Sequence, residues 1–436
     1  MSLREDARRI LDAAVAAADP RAAVLRALRR EGDTLHVGTE TVELGRVLMV
    51  GAGKAAAAMA RAALEVLGDR VEGGSVSVPH GTRAELAGID VWEAAHPVPD
   101  THGLAGAVAA LRVARSARER DLVLCLLSGG ASALWPCPPR TVGLSEVREV
   151  TGALLRAGAG IGEINAVRKH LSRIAGGGLA RAAYPARVLT LALSDVVGSA
   201  LDVIGSGPTV PDPTTFAQAV EVLRRHGVRA PDSVMAHLQR GAAGEVPETP
   251  KPADPAFRRA STHVVGSVRD ALAGAGRAAE ELGYRAEVVA DNLEGEARDT
   301  ARGIAALVRR RRQEHTGEAR ALLFGGETTV TVRGNGRGGR NQELALALAL
   351  EIDGEDGTVA AALGTDGVDG PTTAAGAIVD SGTVARGAER GHHARAALDR
   401  NDSHTFFRAT GELVVTGPTG TNVNDVVLVL LRGSGV

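Results

Sequence analysis

Six apolar residues in a row, "LVLCLL" at Leu122–Leu127, run straight into the glycine turn "SGGASAL". A strand that is apolar at every position has to be covered on both faces. The pattern recurs. "RVLMV" at 46–50 meets "GAGKA" and then the helix-like "AAAAMARAALEVL", and "RVLTLALSDVVG" at 187–198 is another wholly apolar run, ending on Ser-Asp. Continuous apolar strands alternating with helical stretches predict an α/β fold with mainly parallel sheets flanked by helices. Ligands of such sheets collect at the carboxyl ends of the strands, where these glycines fall.

At 436 residues the chain exceeds one ordinary core, which predicts two α/β domains. The texture changes between about 209 and 260, where the Pro-rich "PTVPDPTT" and "EVPETPKPADPAF" bracket the helical "FAQAVEVLRRHG". The seam is therefore expected near 245, giving domains 1–245 and 246–436. Residues 4–30 read as an opening helix whose packing partner the sequence leaves open. In the second half the alternation resumes with a helix at 267–282, the strand "YRAEVVA", a helix at about 297–313, "ARALLFGGETTVTV" as strand or hairpin, and a helix from Asn341.

Composition removes several function classes. A formal charge of −2 and only 2% aromatic residues offer neither a polyanion-binding surface nor stacking platforms, which excludes nucleic acid as a partner. The N-terminal stretch lacks a signal-peptide core and no segment reads as a membrane span, so a cytoplasmic protein is expected. Two cysteines, Cys125 and Cys137, cannot build a disulfide scaffold, and no Cys/His spacing suits zinc.

Glycine turns at strand ends let main-chain N–H groups approach a phosphate, and the next helix N-terminus adds partial positive charge. Five such turns stand out: "VGAGKA" (50–55), "LSGGAS" (127–132), "SDVVGS" (194–199), "RGNGRGGRN" (333–341) and "LGTDGVDG" (363–370). The first fits the dinucleotide fingerprint at Gly51, Gly53 and Ala56, but "VPHGT" stands where the ribose-binding acid belongs. It is not a Walker A loop either, because Leu48 and Ala55 replace the required glycine and Ser/Thr. Lys54, over this cradle, reads as a point charge for a transferring phosphoryl group. Ser128, Gly129, Gly130 and Ser132 form the second cradle; "GGASAL" lacks the last glycine of a nucleophile elbow. In the fourth turn Gly338 and Gly339 allow close backbone approach, and Arg340 with Asn341 opens a helix. Arginine there opposes the helix dipole by a few tenths of a kcal/mol, roughly, and an arriving phosphate would reverse the sign. Asp195, Glu327, Asp366 and Asp369 supply the carboxylates that Mg²⁺ takes beside substrate phosphates.

These residues resemble the glycerate 2-kinases whose C-terminal part is called the MOFRL domain. The likeness rests on "VGAGKA", "LSGGASAL", "INAVRKHLSRIAGGGLA" (164–180), "LSDVVG" with "IGSGPTVPDPTT" (193–215) and "GGETTVTVRGNGRGGRNQELAL" (325–346). "GTDGVDGPT", "NDSHTFF" and "TGPTGTNVND" extend it over nearly the whole chain. The resemblance implies a Rossmann-like N-terminal domain, a MOFRL-like C-terminal domain and an active site in the cleft between them. It implies ATP and Mg²⁺ as cofactors, D-glycerate as substrate and 2-phosphoglycerate as product; Lys54 and Arg340 fall on the family's catalytic pair. Asp195 is then expected to contact Mg²⁺ or the attacking hydroxyl, with Glu327 and Asp366 behind it and Asp366 a second metal ligand. Arg168 and Lys169 are expected on the substrate carboxylate or a phosphate. The chain departs from the family pattern at Ser199 and Thr373, where an acid is common. Two rival readings are an NAD(P)H-dependent hydroxypyruvate reductase and a non-catalytic nucleotide- or metabolite-binding protein. Oligomeric state is left open.

Overall fold

The computed structural model describes residues 2–314 and 317–433. Contacts divide the chain into two compact units, where the sequence reading set one seam near 245. The first unit is Pro20–Val265; the second is the segment ending at Asp19 together with everything from Gly266. The opening stretch is accordingly not one helix. It breaks at Pro20 into helices Leu3–Ala17 and Pro20–Ala27, and each belongs to a different unit.

The first unit begins with a three-stranded antiparallel sheet, β1 (Leu28–Glu31), β2 (Thr34–Val37) and β3 (Glu40–Glu43), which the sequence reading missed because its strands are short and half exposed. Its main sheet holds β4 (Val47–Ala52), β5 (Val71–Pro79), β6 (Ile89–Ala94), β7 (Leu122–Leu127), β8 (Arg187–Leu193) and β9 (Ala260–Gly266), in the order β6-β5-β4-β7-β8-β9. The pairs from β6 through β8 are all parallel. The chain leaves β4 toward one edge and returns beside it as β7, so the order reverses between those two strands. Doubly wound sheets carry their ligand crevice at that reversal. Every residue of β4 and of β7 is buried, which answers to their unbroken apolar runs. Cys125 sits in β7 as a buried free thiol, pushed up to about 12 by burial. The Pro-rich stretch stays within this unit, where helices Phe216–Arg225 and Asp232–Ala242 share an apolar cluster with helix Ile161–His170.

In the second unit β10 (Arg285–Leu293), β11 (Arg320–Gly326), β12 (Thr358–Gly364), β13 (Gly376–Asp380), β14 (Leu413–Val414) and β15 (Asp425–Leu431) form one sheet ordered β10-β11-β15-β12-β13-β14. Here the sheet is mixed rather than mainly parallel. β15 runs antiparallel between β11 and β12, and only β10 and β11 pair in parallel. Strands β11, β12 and β15 are buried at every residue, so the apolar runs reported two-sided coverage and not strand direction. The alternating "TTVTV" after β11 makes no strand. Thr329 forms a single bridge with Glu296, and the Thr331 N–H donates to the Glu296 carboxylate instead of to a neighbouring strand.

Helix Arg340–Glu351 is buried from Asn341 through Ala349, as a helix apolar on nearly all sides must be. Helix Leu3–Ala17 buries Ala7, Ile10, Leu11 and Ala14 and packs on helix Val268–Glu281. Gly274 makes that approach possible, because a Cβ there would strike Ala17 and come within 2.9 Å of the Ala13 carbonyl oxygen. Gly276, on the same helix, meets nothing nearer than 3.7 Å. Gly274→Ala should therefore lower stability by about 1–3 kcal/mol through overpacking. Gly276→Ala should raise it by about 0.5–1 kcal/mol through helix propensity. Urea unfolding of both variants checks the contrast.

Candidate active site

The first two glycine turns are interlocked at the strand-order reversal. Ser128 N–H donates to the Ala52 carbonyl at 3.1 Å, and Lys54 N–H donates to the Gly129 carbonyl at 2.9 Å. The Ser128 hydroxyl accepts from Ala55 N–H at 3.0 Å, just ahead of helix Ala56–Leu67. Gly53 has φ +136°, and a side chain there would collide with Ser128. Gly51 faces Leu126 across the β4–β7 ladder, and Gly130 turns in the left-handed region to start the short helix Ala131–Leu134. Gly51, Gly53, Lys54, Ser128, Gly129 and Gly130, which the sequence offers as two separate cradles, are thus brought together. Asp195 follows the next strand, β8, two residues beyond its last residue, Leu193.

Beside these turns lies a cavity of about 240 Å³ whose lining includes Ser132, Trp135, Arg168 and Ser206. Ser132 and Ser206 share a hydrogen bond of 2.7 Å between their hydroxyls. Arg168 comes to this wall from helix Ile161–His170, and among the described residues its guanidinium has no hydrogen-bond or ion-pair partner. Burial, with no carboxylate opposing it, pulls its pKa down. Its neighbour Lys169 goes the other way. The Lys169 side chain is 2% exposed, and its ammonium sits 3.0 Å from Asp202 and 3.4 Å from Asp212. The helix turns successive residues to different sides, so this ammonium already has carboxylate partners while the adjacent guanidinium has none.

The charged turn of the second unit is satisfied by the protein itself. Asp369, from the "GTDGVDG" loop, accepts the backbone N–H groups of Asn341 and Gln342 at 3.0 and 2.9 Å, together with the Gln342 amide. It therefore caps helix Arg340–Glu351 where a phosphate was expected, and burial raises its own pKa. Gly339 is glycine because a Cβ would enter the Asp369 carboxylate; at Gly338 it would strike the Ser403 hydroxyl. What passes close to that glycine backbone is the protein's own chain. This corrects the sequence reading of the four-glycine stretch.

Arg340 is likewise already paired. It donates to both oxygens of Asp425, at 2.5 and 3.0 Å, and reaches Glu327 at 3.0 Å. Burial alone would lower its pKa, yet the Asp425 hydrogen bonds and charge hold the guanidinium well above its ordinary value. Asp425 opens β15 opposite Gly326 of β11 and Gly364 of β12, so neither neighbouring strand has a side chain to block the arginine. Asp366 follows β12 and acts on Asp425 as a like charge. Glu327, Arg340, Asp366 and Asp425 form one polar group at these strand ends. The sequence reading passed over Asp425, although an acid opening the all-apolar "VVLVLL" was the available signal. Asp425 is 5% exposed at its side chain and Glu327 46% exposed. Asp425→Ala should cost about 2 kcal/mol or more, because it strands a largely buried guanidinium. Glu327→Gln should cost less than about 1 kcal/mol, as an exposed pair does. Chemical denaturation separates the two outcomes.

Among the described residues no helix is long and apolar enough to cross a membrane. A family described as "Domain of unknown function (DUF4147)" matches residues 6–239, and the MOFRL family matches residues 320–425. The D-glycerate 2-kinase of Thermotoga maritima is 42% identical, over 89% of this chain and 92% of its own. A relative from Agrobacterium vitis, 42% identical over 99% of this chain and 95% of its own, carries the provisional name hydroxypyruvate reductase. A crystal structure of glycerate kinase from Thermotoga maritima superposes with a TM-score of 0.86 at 39% identity, covering 99% of both chains. The chain belongs to the glycerate 2-kinase family, with a DUF4147 region followed by a MOFRL region.

Proposed function

We propose that this chain is an ATP-dependent kinase that phosphorylates D-glycerate at its 2-hydroxyl, giving 2-phosphoglycerate and ADP. The observation that carries the reading is Arg168, a partly buried guanidinium with no counter-charge among the described residues, on the wall of a small cavity. A desolvated cation left uncompensated is costly to the folded protein, and a substrate carboxylate removes that cost on binding. The 2-hydroxyl sits on the carbon that bears the carboxylate, so anchoring at Arg168 fixes the reacting oxygen. The Ser132–Ser206 hydroxyl pair supplies hydrogen bonds to the rest of a small hydroxy acid.

Phosphoryl transfer needs positioning and neutralisation of charge on the equatorial oxygens more than covalent help. Lys54, held on the interlocked glycine turns, supplies positive charge, and Arg340 does so from its hold on Asp425. Asp195 orients the 2-hydroxyl and takes its proton as the new oxygen–phosphorus bond forms and the bond to ADP breaks. The acids of the second unit fit a hard cation, which takes one or two carboxylates beside phosphates and water. Asp366 is the partly exposed acid there that would hold Mg²⁺, and Asp195 is the second carboxylate that the sequence offers as a metal ligand. When bound, Mg²⁺ neutralises charge on the phosphate oxygens. Lys169 acts through stability, by joining Asp202 to Asp212.

The reductase reading has the strand order and the Gly51–Ala56 fingerprint in its favour. Against it, the strand beside β4 ends at Pro79 and is followed by His80, where a dinucleotide site places an acid for the ribose. A coupled ADP-release assay over a panel of hydroxy acids, with the product identified as 2- or 3-phosphate, tests the proposal. Folded Lys54→Ala and Arg340→Ala variants should lose about 10²–10³ in kcat. Arg168→Ala should raise KM for glycerate more than it lowers kcat. NADH oxidation with hydroxypyruvate, without glycerate-dependent ADP release, would overturn the kinase reading.

A further inference from the structure

Two histidines and an aspartate, none of them given a catalytic role above, converge in the first unit. His80 directly follows β5, and its N–H donates to the carbonyl of Ala94, the last residue of β6. The chain then passes through His96–Pro99 to Asp100, the N-cap of helix Thr101–Ser116. One oxygen of Asp100 accepts Gly103 N–H at 2.8 Å, and the carboxylate also takes a backbone hydrogen bond from Ala95. The other oxygen lies 3.1 Å from His80 Nε2 and 3.4 Å from His102 Nδ1. The imidazole centroids are 5.7 Å apart and nearly perpendicular. Among the described residues this is the one group of three His, Cys, Asp or Glu side chains whose ligand atoms gather within 4.8 Å of one another.

A helix cap needs Asp100 alone. It does not account for two imidazole nitrogens turned on the oxygen that the cap leaves over. A tetrahedral cation with bonds of about 2.0–2.1 Å separates its ligand atoms by about 3.3 Å, and the two nitrogen–oxygen distances fall on either side of that value. The Gly103 and Ala95 N–H groups hold the carboxylate in place, as the hydrogen bonds behind a metal ligand do. The His80 and His102 side chains are 52% and 68% exposed, so an entering cation can keep water in its fourth position. Two imidazoles and a carboxylate suit zinc and its late first-row neighbours, whereas magnesium prefers oxygen donors throughout. No Cys/His spacing in the sequence suits zinc, and these two histidines, 22 residues apart, carry no local motif that would have paired them.

We propose that His80, Asp100 and His102 bind a Zn²⁺-class cation, which fastens the 96–102 loop to the end of β5. Pro97, Val98 and Pro99 of that loop line the cavity that holds Arg168, so the clasp sets one wall of the substrate cavity.

Co²⁺ is the probe, titrated into the full chain with excess Mg²⁺ so that oxygen-only sites stay filled. The wild-type protein should take up one equivalent with the visible absorption of a tetrahedral nitrogen- and oxygen-ligated ion, displaced by Zn²⁺. His80→Ala and His102→Ala should each weaken uptake by about tenfold or more. Asp100→Asn keeps a side-chain cap but removes the anionic ligand, so it should weaken uptake while retaining the thermal stability of the wild type. The same Co²⁺ spectrum and affinity in a folded His80→Ala/His102→Ala protein, or no tetrahedral band in the wild type, would overturn the proposal.

Discussion

The second unit is organised by carboxylates that have nowhere to go but onto the head of one helix. Asp369 is buried, and its two oxygens are taken by the Asn341 and Gln342 N–H groups and the Gln342 amide. Burying an ionised carboxylate is tolerable only with several such donors, and a helix N-terminus presents them already aligned. The helix can then be apolar almost all round and occupy the core of its unit, against β12 and β13. Gly339 follows from the same constraint, because the acid reaches the helix end through the space where a side chain would be; Gly334, Gly336 and Gly338 instead make room for the 400–403 segment.

Arg340 opens that helix, where a cation is disfavoured, and the disfavour is answered by a second buried acid. Asp425 holds it in a two-pronged hydrogen bond, and Glu327 adds a further contact from the surface. The pair fixes the guanidinium at the strand ends at little entropic cost, since a planar fork matched to a carboxylate has few orientations left to lose. An arginine so held is a structural tie between helix Arg340–Glu351 and β15, whatever further part the proposed mechanism gives it.

Much of this was legible in the sequence, and the limits have identifiable causes. Unbroken apolar runs located β4, β7, β8 and β11 and implied sheets covered on both faces. They could not report that β15 enters antiparallel between β11 and β12, because burial on both faces is the same in either direction. The glycine turns of Lys54 and Ser128 were legible one by one, but their interlocking, through the Ala52 and Gly129 carbonyls and the Ser128 hydroxyl, was not. The "TTVTV" alternation misled, since its backbone donors are met by Glu296 from outside the strand ladder. Proline at position 20 was a visible break that the helical periodicity overrode in the reading of residues 4–30.

The cations expected at the site show where such reading stops. Lys169, Arg168 and Arg340 were all expected to meet an anionic group of a substrate. The fold gives Lys169 two carboxylates from its own unit and buries it. It gives Arg340 a carboxylate too, but leaves a third of the side chain exposed. Among the described residues Arg168 receives none, and it lines a cavity. Whether a protein supplies its own counter-ion depends on residues more than thirty positions distant, such as Asp202, Asp212 and Asp425, whose arrival no local motif encodes. A desolvated cation whose counter-charge is missing is a departure from what stability alone would select, and such departures mark binding sites more surely than charge does. By that criterion Arg168, rather than either of its better-paired companions, is the cation proposed above to receive the substrate carboxylate.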